Sequence, residues 1–425
     1  MRLTGGYRRP AMGTELDVDL LVVGAGPAGV AAALTAHRAG LRVRCVDRAT
    51  FPRDKTCGDG LTAGALRWLE HLGVSVPALR ETQPVDTVVV RSPSGRLVVL
   101  PMPADGHHAV VTPRAGLDAA LVARAREEGI EVAEGEAVAA AAIGHDGVVV
   151  THGDRTTRAR AVVAADGHYS AVRRLVDPET PTDLGSSHAF RQYFRGVRDR
   201  RLWVIFEPDL LPGYAWVFPL PGDRANVGFG VSRDADTRGK ALATIWRELL
   251  DRPAVRAVLG PDAEPEDRHR AWPIPAVFEP TRLTAGPVLF AGDAAGVVDP
   301  MTGEGVAQAL ETGVLAARAV AAGGPSAAVA ARYRTSATTA LGRDLRLAAA
   351  IGRLLRSDTG TRGALRLVDS GPWTRRHFAR WMFEDYPRAL MATPRRWRRG
   401  AFTPPGAFRT STEATRASPG AQRAS

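Results

Sequence analysis

Gly24-Ala25-Gly26-Pro27-Ala28-Gly29 is the stretch that decides the fold of this chain. It follows the apolar run 19–23, which is typical of a strand buried on both faces of a parallel sheet. Its glycines have the G-x-G-x-x-G spacing: the first permits a tight turn, the second lets a pyrophosphate approach, and the third lets helix and strand pack closely. Pro27 and Ala28 begin a helix whose free N–H groups attract phosphate oxygens. The stretch predicts a Rossmann-like dinucleotide site.

The next predicted strand, over residues 41–46, leads to Asp47 and Arg48. Asp47 comes 18 residues after Gly29, where an acid in this fold binds ribose hydroxyls. The glycine motif alone is weak evidence. A strand, a helix, a second strand and an acid in this order make dinucleotide binding a specific prediction.

Two distant segments, 164–173 and 289–296, each place an aspartate at the end of an apolar strand, Asp166 and Asp293. Such strand ends line the ligand crevice of an open α/β sheet. Asp293, flanked by Gly292, is suited to bind the polyol chain of a flavin, whereas Asp166 is either part of the site or a turn residue. The stretch 300–305 then opens a helix whose first N–H groups would stabilise a reduced flavin ring.

Composition limits the class of protein. A chain of 425 residues is too long for one simple core. Its two cysteines, Cys45 and Cys57, form no metal-ligand cluster or disulfide framework, and we expect no metal and a reducing cytoplasmic location. No window approaches the roughly 20 apolar residues that a membrane span needs.

Positive charge is concentrated at the C-terminal end. Residues 341–425 contain 17 arginines and 6 acids, a surplus of eleven that equals the net charge of the whole chain. The run 395–399 mixes arginines with Trp397, which favours contact with an anionic membrane surface, peripheral on its inner face. A solvated helical face followed by a disordered tail explains the same composition. No recognition fold accompanies the charge, so we expect no nucleic-acid partner.

These motifs, with Arg114 ahead of Leu117-Asp118, resemble the FAD-dependent group that includes aromatic hydroxylases, flavin halogenases and geranylgeranyl reductases. The resemblance covers roughly residues 17–340. It implies that Arg114 reaches the flavin side, that Val138 touches adenine through its backbone and that Asp47 and Arg48 hold the adenosine part. The residues predicted to bind FAD are Gly24, Gly26, Pro27, Ala28, Gly29, Asp47, Arg48, Cys57, Gly58, Arg114, Val138, Asp166, Gly292, Asp293, Gly303, Gly305 and Val306.

Two segments indicate a branch of this group. Cys57-Gly58-Asp59-Gly60 and 213–219 resemble the geranylgeranyl reductase family, in particular its actinobacterial branch of menaquinone and prenyl reductases. That family often has Cys-Gly-Gly-Gly, so Asp59 is a departure. The resemblance implies a reductase that saturates C=C bonds of an isoprenoid chain with hydride from reduced FAD and a proton. The alternatives are an FAD-dependent monooxygenase acting on an aromatic or polyketide-type substrate, and a non-catalytic FAD-binding module.

Candidate catalytic and substrate-binding residues follow from these segments. Cys57 and Asp59 are the catalytic candidates, with Cys57 a proton donor or a structural thiol. Tyr214, Trp216 and Phe218 alternate along one strand face and would either line a tunnel for a long apolar chain or belong to the sheet core. No second G-x-G-x-x-G unit follows a strand, so the electron donor is expected to be transiently bound NADPH or a protein.

The predicted fold class is α/β with an α+β substrate domain. A flexible leader (1–16) precedes a discontinuous Rossmann-like FAD-binding domain (17–85, 105–183 and 281–340) and an antiparallel-sheet substrate-binding domain (86–104 and 184–280). A C-terminal basic helical region (341–400) and a disordered tail (401–425) complete the chain.

Overall fold

The computed structural model describes residues 16–179, 185–233 and 239–409. Within these ranges the strands are β1 (Val18–Val23), β2 (Val43–Asp47), β3 (Gly60–Thr62), β4 (Gln83–Pro84), β5 (Thr87–Arg91), β6 (Leu97–Pro101), β7 (Ala109–Val111), β8 (Glu131–Glu134), β9 (Val138–Ile143), β10 (Val148–His152), β11 (Arg155–Ala164), β12 (Ser187–Arg195), β13 (Leu202–Ile205), β14 (Tyr214–Leu220), β15 (Arg224–Ser232), β16 (Glu264–Pro265), β17 (Arg270–Ile274), β18 (Thr284–Ala285) and β19 (Val288–Phe290). The α-helices are α1 (Pro27–Arg38), α2 (Ala63–Leu72), α3 (Arg114–Glu127), α4 (Ala171–Val176), α5 (Gly239–Asp251), α6 (Pro253–Leu259), α7 (Val306–Ala321), α8 (Ser326–Leu354), α9 (Asp358–Val368) and α10 (Pro372–Met382).

The first sheet is the predicted dinucleotide-binding sheet. Its strands run in the order β18-β19-β11-β1-β2-β8, and the pairs from β19 to β8 are parallel. β1 lies in the middle, where Leu20, Leu21 and Val22 are fully buried. Parallel strands end at the same edge of a sheet, so the loops after β1, β2, β11 and β19 meet there.

Helices α1 and α7 pack against each other beside the first sheet, and small residues allow the contact. A Cβ on Gly313 of α7 would lie only 2.1 Å from the carbonyl oxygen of Ala28 in α1. The backbone N–H of Gly292, in the loop after β19, donates to the hydroxyl of Thr312 at 3.0 Å. This packing holds the start of α1 close to the loop after β19.

The second sheet has the order β16-β12-β15-β14-β13-β5-β6, with β17 also paired to β12. Its strands come from residues 87–101 and 187–274, within the ranges predicted for the substrate-binding domain. The pairs are antiparallel except β5–β13, which is parallel. One face packs on α5 and α6, and the other packs partly on α9 and α10. The predicted α/β fold class with a largely antiparallel second sheet and C-terminal helices is therefore confirmed.

Two predicted boundaries near the C-terminal end differ from the structure. Helix α8 continues across residue 340, where the FAD-binding domain was predicted to end and the C-terminal basic helical region to begin. Residues 401–409 were predicted to be disordered from their composition, but Ala407 pairs with His107 in a β-bridge and is fully buried. The predicted tail therefore begins too early. The rest of the predicted tail (410–425) and residues 1–15 of the predicted leader lie outside the described residues.

Among the described residues, no helix combines the length and the apolar character needed to cross a lipid bilayer.

Candidate active site

A cavity of about 550 Å³ opens where the carboxyl ends of β1, β2, β11 and β19 approach the second sheet. Of the residues predicted to bind cofactor or substrate or to act in catalysis, the structure brings all but Gly29 into its wall. They are Gly24, Gly26, Pro27, Ala28, Asp47, Arg48, Cys57, Gly58, Asp59, Arg114, Val138, Asp166, Tyr214, Trp216, Phe218, Gly292, Asp293, Gly303, Gly305 and Val306. A cavity of this size is in the usual range for small-molecule sites.

The three motif glycines are needed for different reasons. Gly24 has a φ of +99°, and a Cβ there would lie 2.3 Å from the carbonyl oxygen of Ala165. A Cβ on Gly29 would lie 1.7 Å from the carbonyl oxygen of Gly24. A Cβ on Gly26, in contrast, would meet nothing closer than the guanidinium of Arg53 at 3.6 Å. Gly24 and Gly29 thus serve the packing of the protein itself, whereas Gly26 keeps the cavity wall open.

Positive charge lies next to Gly26. Arg114 makes a bidentate pair with the buried carboxylate of Asp118, both bonds at 2.9 Å, and Arg53 Nη1 lies 3.0 Å from the same carboxylate. Burial alone would lower the pKa of Arg114, but Asp118 and other nearby anions hold it above its usual value. Two guanidinium groups share one carboxylate, so a positive charge is left over. A pyrophosphate would neutralise it.

Arg53 was not predicted from the sequence. It lies far along the chain from Asp118, and only the fold brings the two together. The run 52–55 contains two basic residues just after the adenosine-side strand, which is the only local signal.

Asp47, at the end of β2, holds the glycine loop. Its Oδ2 accepts a hydrogen bond from the N–H of Ala25 at 2.7 Å, and its Oδ1 accepts from the N–H of Ala49 at 2.8 Å. Arg48 and Val138 line the same end of the cavity. The ribose and adenine contacts assigned to these residues stay predictions.

On the other side of the cavity, Asp293 follows β19 in the 3-10 turn Gly292–Ala295. Its Oδ2 lies 2.9 Å from Nζ of Lys55. Burial would raise the pKa of Asp293, but the charges of Lys55 and Arg114 hold it below its usual value. An ionised carboxylate can only accept hydrogen bonds, and the hydroxyls of a ribityl chain can donate them.

The start of α7 reaches the cavity through a tight turn. Asp299 Oδ1 accepts from the N–H groups of Met301 and Thr302, both at 2.9 Å. Gly305 and Val306 follow and line the cavity. The positive end of the α7 dipole therefore faces the site, where it would stabilise a negative charge.

The loop Cys57–Gly60 is fixed by the carboxylate of Asp59, which is 1% exposed and has a φ of +65°. Its Oδ1 accepts from the N–H of Arg114 at 3.2 Å, and its Oδ2 accepts from Tyr193 Oη at 2.6 Å and Asn226 Nδ2 at 2.8 Å. Burial raises the pKa of Asp59 to about 6, against the opposing effect of the hydrogen bonds from Tyr193 and Asn226. Both carboxylate oxygens are occupied, so the geometry favours a positioning role for Asp59.

Tyr193 and Asn226 were also not predicted from the sequence as site residues. They are direct partners across the β12–β15 pair. Strand alternation places each on one face of its strand, but no sequence pattern gives the register that brings them opposite each other.

Cys57 lies beside the same network. Its Sγ accepts from the N–H of Asp59 at 3.3 Å, and its carbonyl oxygen accepts from Asn226 Nδ2 at 2.9 Å. Burial, followed by the charge of Asp59, raises the pKa of the Cys57 thiol. The thiol is therefore neutral at pH 7, which fits both a proton donor and a structural thiol.

Tyr214, Trp216 and Phe218 form an aromatic wall on β14. Neighbouring rings have centroids 6.2 and 6.0 Å apart. The ring of Phe218 lies 3.4 Å and 3.3 Å from the positions that Cβ atoms on Gly58 and Gly60 would take. The wall lines the cavity and also belongs to the core beneath the sheet. Its contact with a long apolar chain stays a prediction.

These residues fit FAD. An open cradle at Gly26 with two arginines suits the pyrophosphate, and the carboxylate of Asp293 suits the ribityl hydroxyls. When bound and reduced, FAD supplies hydride.

A family model described as FAD binding domain matches residues 17–335. The chain belongs to this FAD-binding family. It is 33% identical over 324 residues to menaquinone reductase of Mycolicibacterium smegmatis, covering 72% of this chain and 77% of that protein. It is 31% identical to digeranylgeranylglycerophospholipid reductase 2 of Methanopyrus kandleri, over 75% and 82% of the two chains. Its fold resembles the crystal structure of a geranylgeranyl bacteriochlorophyll reductase-like protein from Thermoplasma acidophilum, with a TM-score of 0.72, 20% identity and coverage of 88% and 98%. The chain is therefore an FAD-dependent oxidoreductase.

Proposed function

We propose that the protein saturates C=C bonds in an isoprenoid chain of the prenyl-quinone or prenyl-lipid type, with reduced FAD as the hydride source. The observation that carries this proposal is the aromatic wall of Tyr214, Trp216 and Phe218, which faces the loop Cys57–Gly60 inside the cavity lined by the residues predicted to bind FAD. The relatives named as reductases of menaquinone and of digeranylgeranylglycerophospholipid support it.

The wall suits the chemistry. An isolated alkene has no carbonyl to polarise, so the rate depends on close positioning and on exclusion of water. Aromatic rings bury a long apolar chain and present their negative faces to positive charge that develops on the alkene. The hydrogen bond from Trp216 Nε1 to Asn226 Oδ1, at 2.9 Å, fixes one ring relative to the loop beside it.

We expect the protein, reduced anaerobically, to add two hydrogens to the side chain of a prenyl quinone for each bond saturated. Mass spectrometry of the lipid measures this after the ring is reoxidised in air, because reduction of the quinone ring to the quinol also adds two hydrogens. Anaerobic reduction by NADPH, followed by flavin absorbance, tests one candidate electron donor against a protein donor. Product that forms only with oxygen, with one O₂ consumed per turnover and an added oxygen atom, would instead establish the monooxygenase alternative.

We also propose that the C-terminal region docks on an anionic membrane surface. Four aromatic rings, Trp373, His377, Phe402 and Trp397, form a chain of ring contacts that we call the tryptophan patch, and both tryptophans are more than half exposed. The exposed arginines between residues 341 and 400 form no ion pair within the described part of the chain: Arg343, Arg346, Arg353, Arg356, Arg366, Arg376, Arg395, Arg396, Arg398 and Arg399. Tryptophan and arginine together favour the interface of anionic lipids.

Replacing both Trp373 and Trp397 with serine is expected to weaken binding to phosphatidylglycerol vesicles by about tenfold or more, since each ring loses its burial in the interface. Vesicle co-sedimentation measures this, and 0.5 M salt should weaken the wild type because charges are screened. Ile143→Ser, at an exposed apolar residue on β9, is the control. Equal binding of the double variant and the wild type, or no dependence on salt, would contradict the docking proposal.

A further inference from the structure

Glu304 is a cavity residue that the sequence motifs left without a role. It lies in the turn before α7, and its Oε1 is 3.5 Å from the position that a Cβ on Gly60 would occupy. The ring of Phe218 lies 3.3 Å from the same position. The carboxyl group forms no hydrogen bond or ion pair with any residue that the structure describes. It is therefore an unengaged acid next to the aromatic wall.

Two other carboxyl groups lie behind Glu304, and both are engaged. Asp299 Oδ2 accepts from Nε of the buried Arg388 at 2.8 Å. Glu384 Oε1 accepts from Gln308 Nε2 at 2.6 Å and lies 3.5 Å from Arg388. Within the described part of the chain, Arg388 thus pairs with Asp299 and Glu384, and Glu304 is left without a cation partner.

The proton balance follows from this arrangement. Like charges this close in a desolvated site do not all ionise, and the proton goes to the group with the fewest donors. Burial, followed by the charges of Glu384 and Asp299, raises the pKa of Glu304 to about 8, with Arg388 opposing. Burial also raises the pKa of Tyr214, the other titratable group facing Glu304, so Tyr214 stays neutral.

We infer that Glu304 delivers the proton in alkene reduction, an inference that rests on the function proposed above. One alkene carbon takes the hydride that reduced FAD supplies, and the flavin is left oxidised. The O–H bond of Glu304 breaks, and its proton forms the second C–H bond with the two π electrons of the alkene. Glu304 is left as a carboxylate and regains a proton from water.

A row of acids distinguishes Glu304 from Cys57 as the donor. Glu311 lies seven residues further along α7, and Asp344 lies on the adjacent helix α8. Burial and the nearby charges of Glu384 and Asp344 raise the pKa of Glu311 to about 7, a value at which a group exchanges protons readily in neutral solution. The acid beside the Cys57 thiol, Asp59, is held by hydrogen bonds from Arg114, Tyr193 and Asn226, so it is less free to pass on a proton.

Glu304→Gln tests this inference because it keeps the shape and removes the proton. We expect unchanged FAD content and at least a 100-fold slower saturation of the prenyl side chain by the reduced enzyme in single turnover, followed by mass spectrometry of the reoxidised quinone. The wild-type rate should fall as pH rises through about 8, because the acid must be protonated, and this fall should be absent in the variant. Glu207→Gln is the matched control, since Glu207 pairs with Arg91 and Arg252 outside the cavity.

A second measurement is independent of the substrate. Infrared difference spectra between pH 6 and pH 10 should contain the carboxyl signals of Glu304 and Glu311 in the wild type, and Glu304→Gln should lack the first of them. Identical carboxyl signals in the two proteins, or a variant that keeps the full rate, overturn the inference. If no prenyl substrate is reduced by the wild type, the proposed function fails, and the infrared spectrum still decides where the proton resides.

Discussion

Gly26→Ala is expected to abolish tight FAD binding while leaving the apoprotein folded. The backbone of Gly26 has a φ of −78°, which suits any residue, and the nearest atom to an added Cβ is 3.6 Å away. The methyl group therefore clashes with no protein atom. It enters the cavity wall where the pyrophosphate must approach, between the guanidinium groups of Arg53 and Arg114. A loss of about 100-fold in affinity, near 2.8 kcal/mol, is expected.

Gly29→Ala is the contrasting variant. Its Cβ would lie 1.7 Å from the carbonyl oxygen of Gly24, so β1 and α1 must move apart. We expect a loss of more than about 4 kcal/mol in the free energy of unfolding, because backbone has no room to yield. Gly363→Ala is the neutral control, since nothing lies within 4 Å of that position in α9. FAD titration by fluorescence and thermal unfolding of the apoproteins separate the three cases.

A Gly26→Ala protein that binds FAD as the wild type does would show that the pyrophosphate lies elsewhere. An apoprotein of Gly26→Ala that unfolds like Gly29→Ala would show that Gly26 also serves packing.

The cofactor side of the site could be predicted from sequence because its signals are local. Gly24, Gly26 and Gly29 are fixed by the geometry of one turn, and Asp47 and Asp293 follow buried strands that must end at one edge of a parallel sheet. These positions along the chain were therefore sufficient to predict that the glycines and acids lie together at one edge of the sheet.

The substrate side could not be predicted to the same depth. Tyr193 and Asn226 reach Asp59 across 134 and 167 residues of sequence, and they do so only in one register of β12 and β15. Glu304 and Glu384 approach through the packing of α7 against the C-terminal segment. Buried polar networks of this kind depend on tertiary placement, which spacing along the chain does not encode.

Composition was misleading near the C-terminal end. The segment after Thr403 is rich in Pro, Gly and Ala, which predicts disorder. Ala407 nevertheless pairs with His107, and the N–H of Phe408 donates to Glu70 at 2.9 Å. These residues are held in place by partners that lie far along the chain. A local sequence pattern gives no information about such partners.

Asp59→Asn is expected to lower kcat by about 100-fold with FAD still bound, since misplacement of about 1 Å costs this much in a positioned site. The asparagine amide has one acceptor oxygen, whereas the carboxylate serves three donors, from Arg114, Tyr193 and Asn226. At least one donor must lose its partner. The loop Cys57–Gly60 would then shift relative to the aromatic wall.

The wild type should show the same loss at low pH. The pKa of Asp59 is about 6, so the carboxylate gains a proton and loses an acceptor site as pH falls below that value. We expect kcat to fall with decreasing pH through about 6 in the wild type, and this fall to be absent in Asp59→Asn. A pH profile of kcat, with FAD occupancy checked by absorbance at each pH, measures both.

Tyr193→Phe shows whether the hydrogen bonds themselves matter. Alone it removes one donor and should lower kcat, but added to Asp59→Asn it should change little, because the two residues act through one contact. Asp59→Gly completes the set, because glycine suits the φ of +65° but offers no acceptor. If Asp59→Gly retained the full kcat, the loop would be held by its backbone alone, and the carboxylate would have no part in positioning it.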